Sequence, residues 1–277
     1  MRSKRLLFPL GLRKALIACG LALWLAACGL NLISQDSEIE LGKQISKEVE
    51  SQMKVLADAE VTEYVDSIGQ KLAKVSRRPD LAYHIKVIDT EEVNAFALPG
   101  GYLYVNRGLI ETASNESELA GVMGHEIAHI TERHSTKQYT QAQLYQIAAT
   151  IGAAVTGAGQ VGQQAAGLGG ALLFRKFSRM DEAEADKYGL QYIARAGYDP
   201  RGMETFFRKL LKLQEGKPST LQALFSTHPP TEERIQAIQA EVGKLDPKSL
   251  KSAILSSSRF DRIKTKLRVK AQMRSRD

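Results

Sequence analysis

The feature that most constrains this 277-residue chain is the segment H-E-I-A-H at residues 125–129. On an α-helix, His125 and His129 lie one turn apart on the same face. Two imidazoles at this spacing can bind one Zn²⁺, and Glu126 is then placed to take a proton from a water molecule that the metal activates. The segment therefore predicts a zinc site with His125 and His129 as ligands and Glu126 as general base.

The residues around this segment are apolar enough for the helix, expected over about 116–134, to be buried. They include Leu119, Val122, Met123, Ile127, Ala128 and Ile130. Two imidazoles and a carboxylate without partners would be costly in a protein core. We therefore favour the zinc interpretation over the alternative, a helix that carries two histidines by coincidence.

A catalytic zinc site needs three protein ligands and one position that is open to water. Glu182, on a separate predicted helix 53 residues after His129, is the best candidate for the third ligand. Asp186 lies one helical turn further on and is placed to bind the free ring nitrogen of a ligand histidine, which would fix its tautomer. The alternative is that residues 181–186 form a solvated acidic face.

Two further residues are candidates for a role beside the metal. Arg179 or His228 would donate to the oxyanion that forms when a peptide carbonyl is attacked. His228 lies in a rigid Thr-His-Pro turn, so it could instead act as a fourth ligand that shuts the site, or simply cap the next helix. His134 is expected to lie beside the metal ligands or at the surface rather than to bind the metal, because it lies one turn plus one residue past His129 and so faces elsewhere.

A short β-hairpin precedes the motif helix. Residues 94–97 and 102–105 read as strands, with a turn at 98–101. We expect the second strand to be an open sheet edge that holds an extended substrate through main-chain hydrogen bonds, formed by Gly101, Tyr102, Leu103 and Tyr104. The alternative is an ordinary inner strand. With helical periodicity elsewhere, the pattern predicts a mainly α fold with a small β-sheet, an α+β protein.

The first 27 residues are typical of an export signal, with a basic start and an apolar stretch of about 13 residues that is short for a membrane span. They end in Leu-Ala-Ala before Cys28, which is similar to a bacterial lipobox, so Cys28 is the predicted lipidation site. A plain signal-anchor helix is the alternative. Residues 28–36 would be a tether, and the absence of aspartate after Cys28 favours the outer membrane, facing the periplasm.

The formal charge of +7 is unevenly distributed. Residues 1–27 carry five basic and no acidic residues, residues 244–277 carry 11 basic and three acidic residues, and residues 28–243 carry 22 basic and 28 acidic residues. The basicity thus lies at the two ends, and the body shows no nucleic-acid-binding motif. We expect one domain over residues 37–243 and a basic tail over 244–277.

Residues 148–173 are rich in alanine and glycine and carry no charge. We favour a mobile helical hairpin near the cleft, which would gate access or touch the membrane. The alternative is a pair of small-residue helices packed closely in the core.

Five motifs together resemble the HtpX, BepA and CAAX-prenyl-protease family of gluzincin metallopeptidases, in its soluble, lipid-anchored branch. They are N-A-F-A-L-P-G-G at 94–101, H-E-I-A-H at 125–129, S-R-x-x-E-x-E-A-D at 178–186, A-G-Y-D-P at 196–200 and T-H-P at 227–229. The resemblance implies a zincin-like domain whose motif helix packs beside an edge strand. It also implies one Zn²⁺ per subunit, held by His125, His129 and Glu182, with catalysis by Glu126.

The same resemblance implies endopeptidase action on misfolded or stalled envelope proteins, with the outer-membrane assembly machinery as a further partner. The competing hypothesis is a periplasmic chaperone or assembly factor that uses the cleft without cutting. No helical repeat domain is apparent after the peptidase region, so partner docking of that kind is not expected from these residues.

Overall fold

Helices surround a three-stranded sheet in this protein. The computed structural model describes residues 17, 20, 21, 31–156, 176–215 and 222–274. Cys28 and the glycine-rich part of the segment 148–173 lie outside these residues. The elements are α1 (Gln35–Gln52), α2 (Ala59–Lys74), β1 (His84–Ile88), β2 (Ala95–Leu98), β3 (Tyr102–Asn106), α3 (Arg107–Thr112), α4 (Glu116–Thr131), α5 (His134–Thr156), α6 (Arg179–Arg195), α7 (Arg201–Glu215), α8 (Gln222–Thr227), α9 (Glu232–Val242), α10 (Pro247–Lys251) and α11 (Ser258–Arg274).

The helix starts follow from side-chain capping. The side chains of Asp58 and Asn115 accept hydrogen bonds from backbone N–H groups in the first turns of α2 and α4. Ser178 and Asp181 form a reciprocal capping box at the start of α6. The prediction of a mainly helical α+β fold is confirmed. Among the described residues, no helix has both the length and the apolar composition needed to cross a bilayer.

The strand order in the sheet is β1-β3-β2. β3 pairs in parallel with β1 and antiparallel with β2, so it is the central strand. The expectation that residues 101–105 form the sheet edge is therefore wrong, and the alternative of an inner strand holds. The outer side of β1 is partly covered, because Leu56 donates its N–H to the carbonyl of Val87. The edge strand that packs beside α4 is β2.

The basic tail belongs to the same folded unit as the rest of the chain. Phe260, Ile263 and Leu267 of α11 are fully buried in the main hydrophobic core. Lys266 of the same helix lies 2.9 Å from the carboxylate of Asp58, at the start of α2. The region predicted as a basic tail therefore packs on the same core as the domain before it.

Helices α4 and α6 approach most closely at a pair of glycines. A Cβ atom on Gly189 would lie 2.9 Å from the backbone nitrogen of His125 and 3.0 Å from the carbonyl carbon of Gly124. A side chain at either glycine would therefore push the two helices apart. Because glycine inside a helix costs about 1 kcal/mol relative to alanine, its presence here is explained by packing.

We predict that Gly189→Ala destabilises the protein by about 1–3 kcal/mol, since overpacking outweighs the gain in helix propensity. Urea unfolding measures the change. Lys187→Ala, on the exposed side of the same helix, is the control and is expected to be nearly neutral. A Gly189→Ala protein as stable as the wild type would contradict this account of the α4–α6 contact.

Candidate metal centre

Four buried side chains from three helical segments converge at one point. His125 and His129 come from α4, Glu182 from the first turn of α6, and His228 from the residue after α8. Their exposed fractions are 2%, 1%, 4% and 6%. Each offers one nitrogen or oxygen atom, and these atoms all lie within 4.8 Å of one another. The sequence-predicted candidates are thus brought together.

Several distances between ligand atoms in this cluster are close to those around a tetrahedrally coordinated ion. Zinc–ligand bonds of 2.0–2.1 Å place ligand atoms roughly 3.3 Å apart. The Nε2 atoms of His125 and His129 are 3.1 Å apart, and they lie 3.5 and 3.6 Å from the two carboxylate oxygens of Glu182. The Nδ1 atom of His228 is 3.4 Å from Nε2 of His125. Three imidazoles and a carboxylate form a metal site consistent with zinc.

The Glu126 carboxylate lies beside this cluster, 3.6 Å from Nε2 of His228, and is 1% exposed. Neither of its oxygens makes a hydrogen bond of good geometry with the described residues. Burial raises the pKa of Glu126, although the charges of His228 and His125 and the backbone N–H of Ala97 on β2 oppose the rise. A raised carboxyl pKa is the property that a general base working near neutral pH needs.

Charged partners surround His125, one of the two histidines predicted to be ligands. Its Nδ1 atom lies 3.0 Å from Oδ1 of Asp186. Burial alone lowers the pKa of His125, but hydrogen bonds to Asp186 and Glu182 outweigh it and raise the pKa to about 9. Burial holds the pKa of His129 well below its usual value. A cation bound at the cluster would compete with a proton for His125.

The other predicted residues lie in different surroundings. Arg179 is exposed at the first position of α6. Gly101, Tyr102, Leu103 and Tyr104 lie in the turn and the central strand. His228 belongs to the cluster and does not cap the next helix, whose N-cap is Thr231.

Sequence reasoning missed Arg234 and Phe177 beside the site, and it gave the wrong orientation for His134. Arg234 in the first turn of α9 lies 2.7 Å from Asp186 and 2.7 Å from Glu182. Phe177 stacks on the ring of His129, with centroids 4.1 Å apart. His134 contacts His129 instead of facing away from it. The sequence held one indication for Arg234, namely its position at the start of a predicted helix. A cation near a helix N-terminus is unfavourable unless an anion faces it.

We predict that Arg234→Met lowers the free energy of unfolding by about 3–5 kcal/mol, because it leaves Glu182 and Asp186 as buried charges without their cation. Arg208→Met is the matched control. Arg208 pairs with Glu204 at the surface, where ion pairs contribute little to stability. Both are measured by urea unfolding of metal-free protein, and equal losses would contradict the buried-pair interpretation.

Comparison with known proteins agrees with this geometry. The chain is 30% identical over 230 residues to the beta-barrel assembly-enhancing protease of Escherichia coli, covering 80% of this chain and 47% of that protein. It is 32% identical over 209 residues to the metalloprotease LoiP of E. coli, covering 74% of this chain and 80% of LoiP. It is 32% identical over 213 residues to the mitochondrial metalloendopeptidase OMA1 of Schizosaccharomyces pombe, covering 76% and 62%.

The chain thus spans about half the length of the relative described first. Residues 59–242, which contain all four residues of the cluster, match peptidase family M48. The chain belongs to peptidase family M48.

Proposed function

We propose that this protein is a zinc-dependent endopeptidase of the bacterial cell envelope that hydrolyses peptide bonds in misfolded or stalled envelope proteins. The observation that carries the proposal is the buried cluster of three histidines and Glu182 with the buried carboxylate of Glu126 beside it. The names of the relatives, a beta-barrel assembly-enhancing protease and the metalloprotease LoiP, support the envelope location and the protein substrates.

In this proposal His125, His129 and Glu182 hold one zinc ion per subunit. Zinc, when bound, supplies the Lewis acidity that brings the pKa of a water molecule toward about 7 and polarises a peptide carbonyl. Asp186 holds the His125 ring in orientation through Nδ1, and Arg234 balances the charge of Asp186 and Glu182. Glu126 accepts the proton of the attacking water and passes it to the departing amine.

Strand β2 is the proposed substrate-binding edge, in place of residues 101–104. It lies at the edge of the sheet and packs beside α4. The backbone N–H of Ala97 acts on the Glu126 carboxyl, so the strand runs past the general base. A peptide that pairs with this edge is held through its main chain, which suits unfolded substrates of varied sequence.

The decisive experiment is Glu126→Gln. We expect it to reduce hydrolysis of fluorescein-labelled casein by about 10²–10⁴-fold, the usual contribution of a general base, while zinc content stays the same. Glu63→Gln, at an exposed position of α2, is the control and should keep full activity.

The same variant decides between hydrolysis and the chaperone alternative. Restoration of envelope function in a deletion strain by the Glu126→Gln protein would support a chaperone or assembly factor that works without cleavage. Unchanged casein hydrolysis by this variant would remove the proposed mechanism altogether.

We propose that His228 occupies the fourth ligand position and holds the site closed, in preference to an oxyanion role for His228 or for the exposed Arg179. Its Nδ1 atom lies 2.7 Å from Glu182 and 3.4 Å from His125, which is where a fourth ligand belongs. A ligand in that position excludes the water that hydrolysis needs.

His228→Ala is therefore expected to raise casein hydrolysis severalfold and to weaken zinc binding. His84→Ala, at an exposed position of β1, is the matched control. A fall in casein hydrolysis in zinc-loaded His228→Ala protein would favour the oxyanion role instead.

We also propose that residues 1–27 are a signal peptide, that lipid on Cys28 and the tether at 28–36 anchor the domain to the outer membrane facing the periplasm, and that the outer-membrane assembly machinery is a partner. The lipobox-like sequence before Cys28 motivates the anchor. Cys28→Ser should move the protein from the membrane fraction to the soluble periplasm. Equal membrane fractions for both proteins would exclude lipid as the anchor.

A further inference from the structure

His134 is a buried histidine for which the proposed mechanism has no role. It is 0% exposed, and its Nδ1 atom lies 2.9 Å from Nδ1 of His129. Its other ring nitrogen, Nε2, lies 3.1 Å from a carboxylate oxygen of Glu184 and 3.5 Å from one of Asp181. The imidazole therefore bridges a proposed zinc ligand and an acidic group on α6.

The backbone between α4 and α5 explains how His134 reaches His129. Helix α4 ends at Thr131, and Arg133 has a φ of 60°, in the left-handed region that non-glycine residues rarely adopt. The side chain of Arg133 stabilises this turn, since it donates to buried Glu38 at 2.6 Å and to the carbonyl of Ile33 at 2.6 Å. The turn starts α5 in a new direction, with His134 as its first residue.

The positions of the ring atoms leave one consistent arrangement of protons. The Nε2 atom of His129 faces the cluster, and it must be unprotonated to bind a metal. The proton of His129 is then on Nδ1, so Nδ1 of His134 must accept it. The proton of His134 is consequently on Nε2, from which it is donated to the carboxylate of Glu184, an acceptor only.

We propose that His134 is a positioning residue that, with Glu184, fixes the tautomer and ring orientation of His129 for zinc binding. The inference rests on the proposed function, because it takes His129 as a ligand. His125 has a buried carboxylate, Asp186, directly on its Nδ1 atom. His129 reaches its carboxylate through an intervening imidazole, and Glu184, at 38% side-chain exposure, extends this connection to the surface.

Phe177 offers a competing explanation for the orientation of His129. Its ring stacks on the His129 ring at an interplanar angle of 30°, and stacking alone can hold a ring in place. Stacking does not select which nitrogen carries the proton, however. The two explanations therefore differ in what happens when the accepting atom at position 134 is removed and its volume is kept.

The test compares His134→Asn with His134→Leu, two side chains of similar shape. Asparagine can place its Oδ1 atom where Nδ1 of histidine lies and accept the same proton, whereas leucine cannot. We expect His134→Leu to weaken zinc affinity about 10–100-fold, as for other groups that orient metal ligands, and His134→Asn to recover most of it. Zinc affinity is measured by competition with a fluorescent chelator, without reference to activity.

Equal zinc affinities in the two His134 variants, whether both strong or both weak, would overturn the proposal. Should His134→Leu fail to fold, the pair Glu184→Gln and Glu184→Leu decides, because Glu184 is partly exposed and its replacement leaves the core unchanged. Glutamine keeps an acceptor for Nε2 of His134 and should retain zinc affinity, whereas leucine should weaken it. Equal affinities in this pair would also count against the proposal.

Nitrogen-15 NMR of the imidazoles in the zinc-loaded wild-type protein gives a direct second readout. The resonances of His134, identified by their loss in His134→Asn, should show a protonated Nε2 and an unprotonated Nδ1. The opposite tautomer would overturn the proposal. Failure of the wild-type protein to bind zinc would overturn the proposed function as well. Normal zinc binding and casein hydrolysis together with the opposite tautomer would overturn this inference alone.

Discussion

The close contact between α4 and α6 is the constraint on which the rest of the site depends. At Gly124 and Gly189 the two helices are so close that a Cβ atom on Gly189 would lie 2.9 Å from the backbone nitrogen of His125, and one on Gly124 would lie 3.2 Å from the carbonyl oxygen of Gly189. Glu182 and Asp186 lie one turn apart on α6, and this contact fixes how far they stand from α4. Across this contact the carboxylate of Glu182 lies within 3.6 Å of ring nitrogens of both histidines on α4.

The charges in the site explain why the helices need a cation between them. The carboxylates of Glu126, Glu182 and Asp186 face one guanidinium, that of Arg234, and histidines that bind a metal are neutral. With all three carboxylates ionised, two negative charges remain among buried side chains, where unbalanced charge is costly. A divalent cation at the cluster balances them, so the electrostatics and the ligand geometry point to the same occupant.

The sequence predicted the parts of the site that depend on local geometry or on ligand number. The spacing of His125 and His129 is a property of one helix, and Glu182 follows from the need for a third ligand. The position of β3 in the sheet could not be read in this way, because its parallel pairing with β1 joins strands that are not linked by a hairpin. Hairpin patterns alone do not show which strand is central.

The contacts of His134 and Arg234 were missed for different physical reasons. Helical periodicity places His134 away from His129 only if the helix continues, and the left-handed residue Arg133 ends it. Arg234 reaches Asp186 across 48 residues of sequence, a distance over which no local pattern is informative. Similarly, the apolar face of α11 was not recognised, because the sequence after residue 243 is basic overall. Phe260 and Ile263 of this face are buried in the core.

Burial of the proposed general base bears on how a peptide would reach the site. Glu126 is 1% exposed, so a peptide carbonyl cannot approach it in this conformation. Helices α4 and α6 cannot separate without breaking their glycine contact, and β2 is hydrogen-bonded to the central strand along its length. His228, by contrast, follows a helix of six residues and precedes two prolines. Under the proposed function, opening at this turn would remove one side chain from the cluster and leave the other three in place, as loops that gate active sites commonly do.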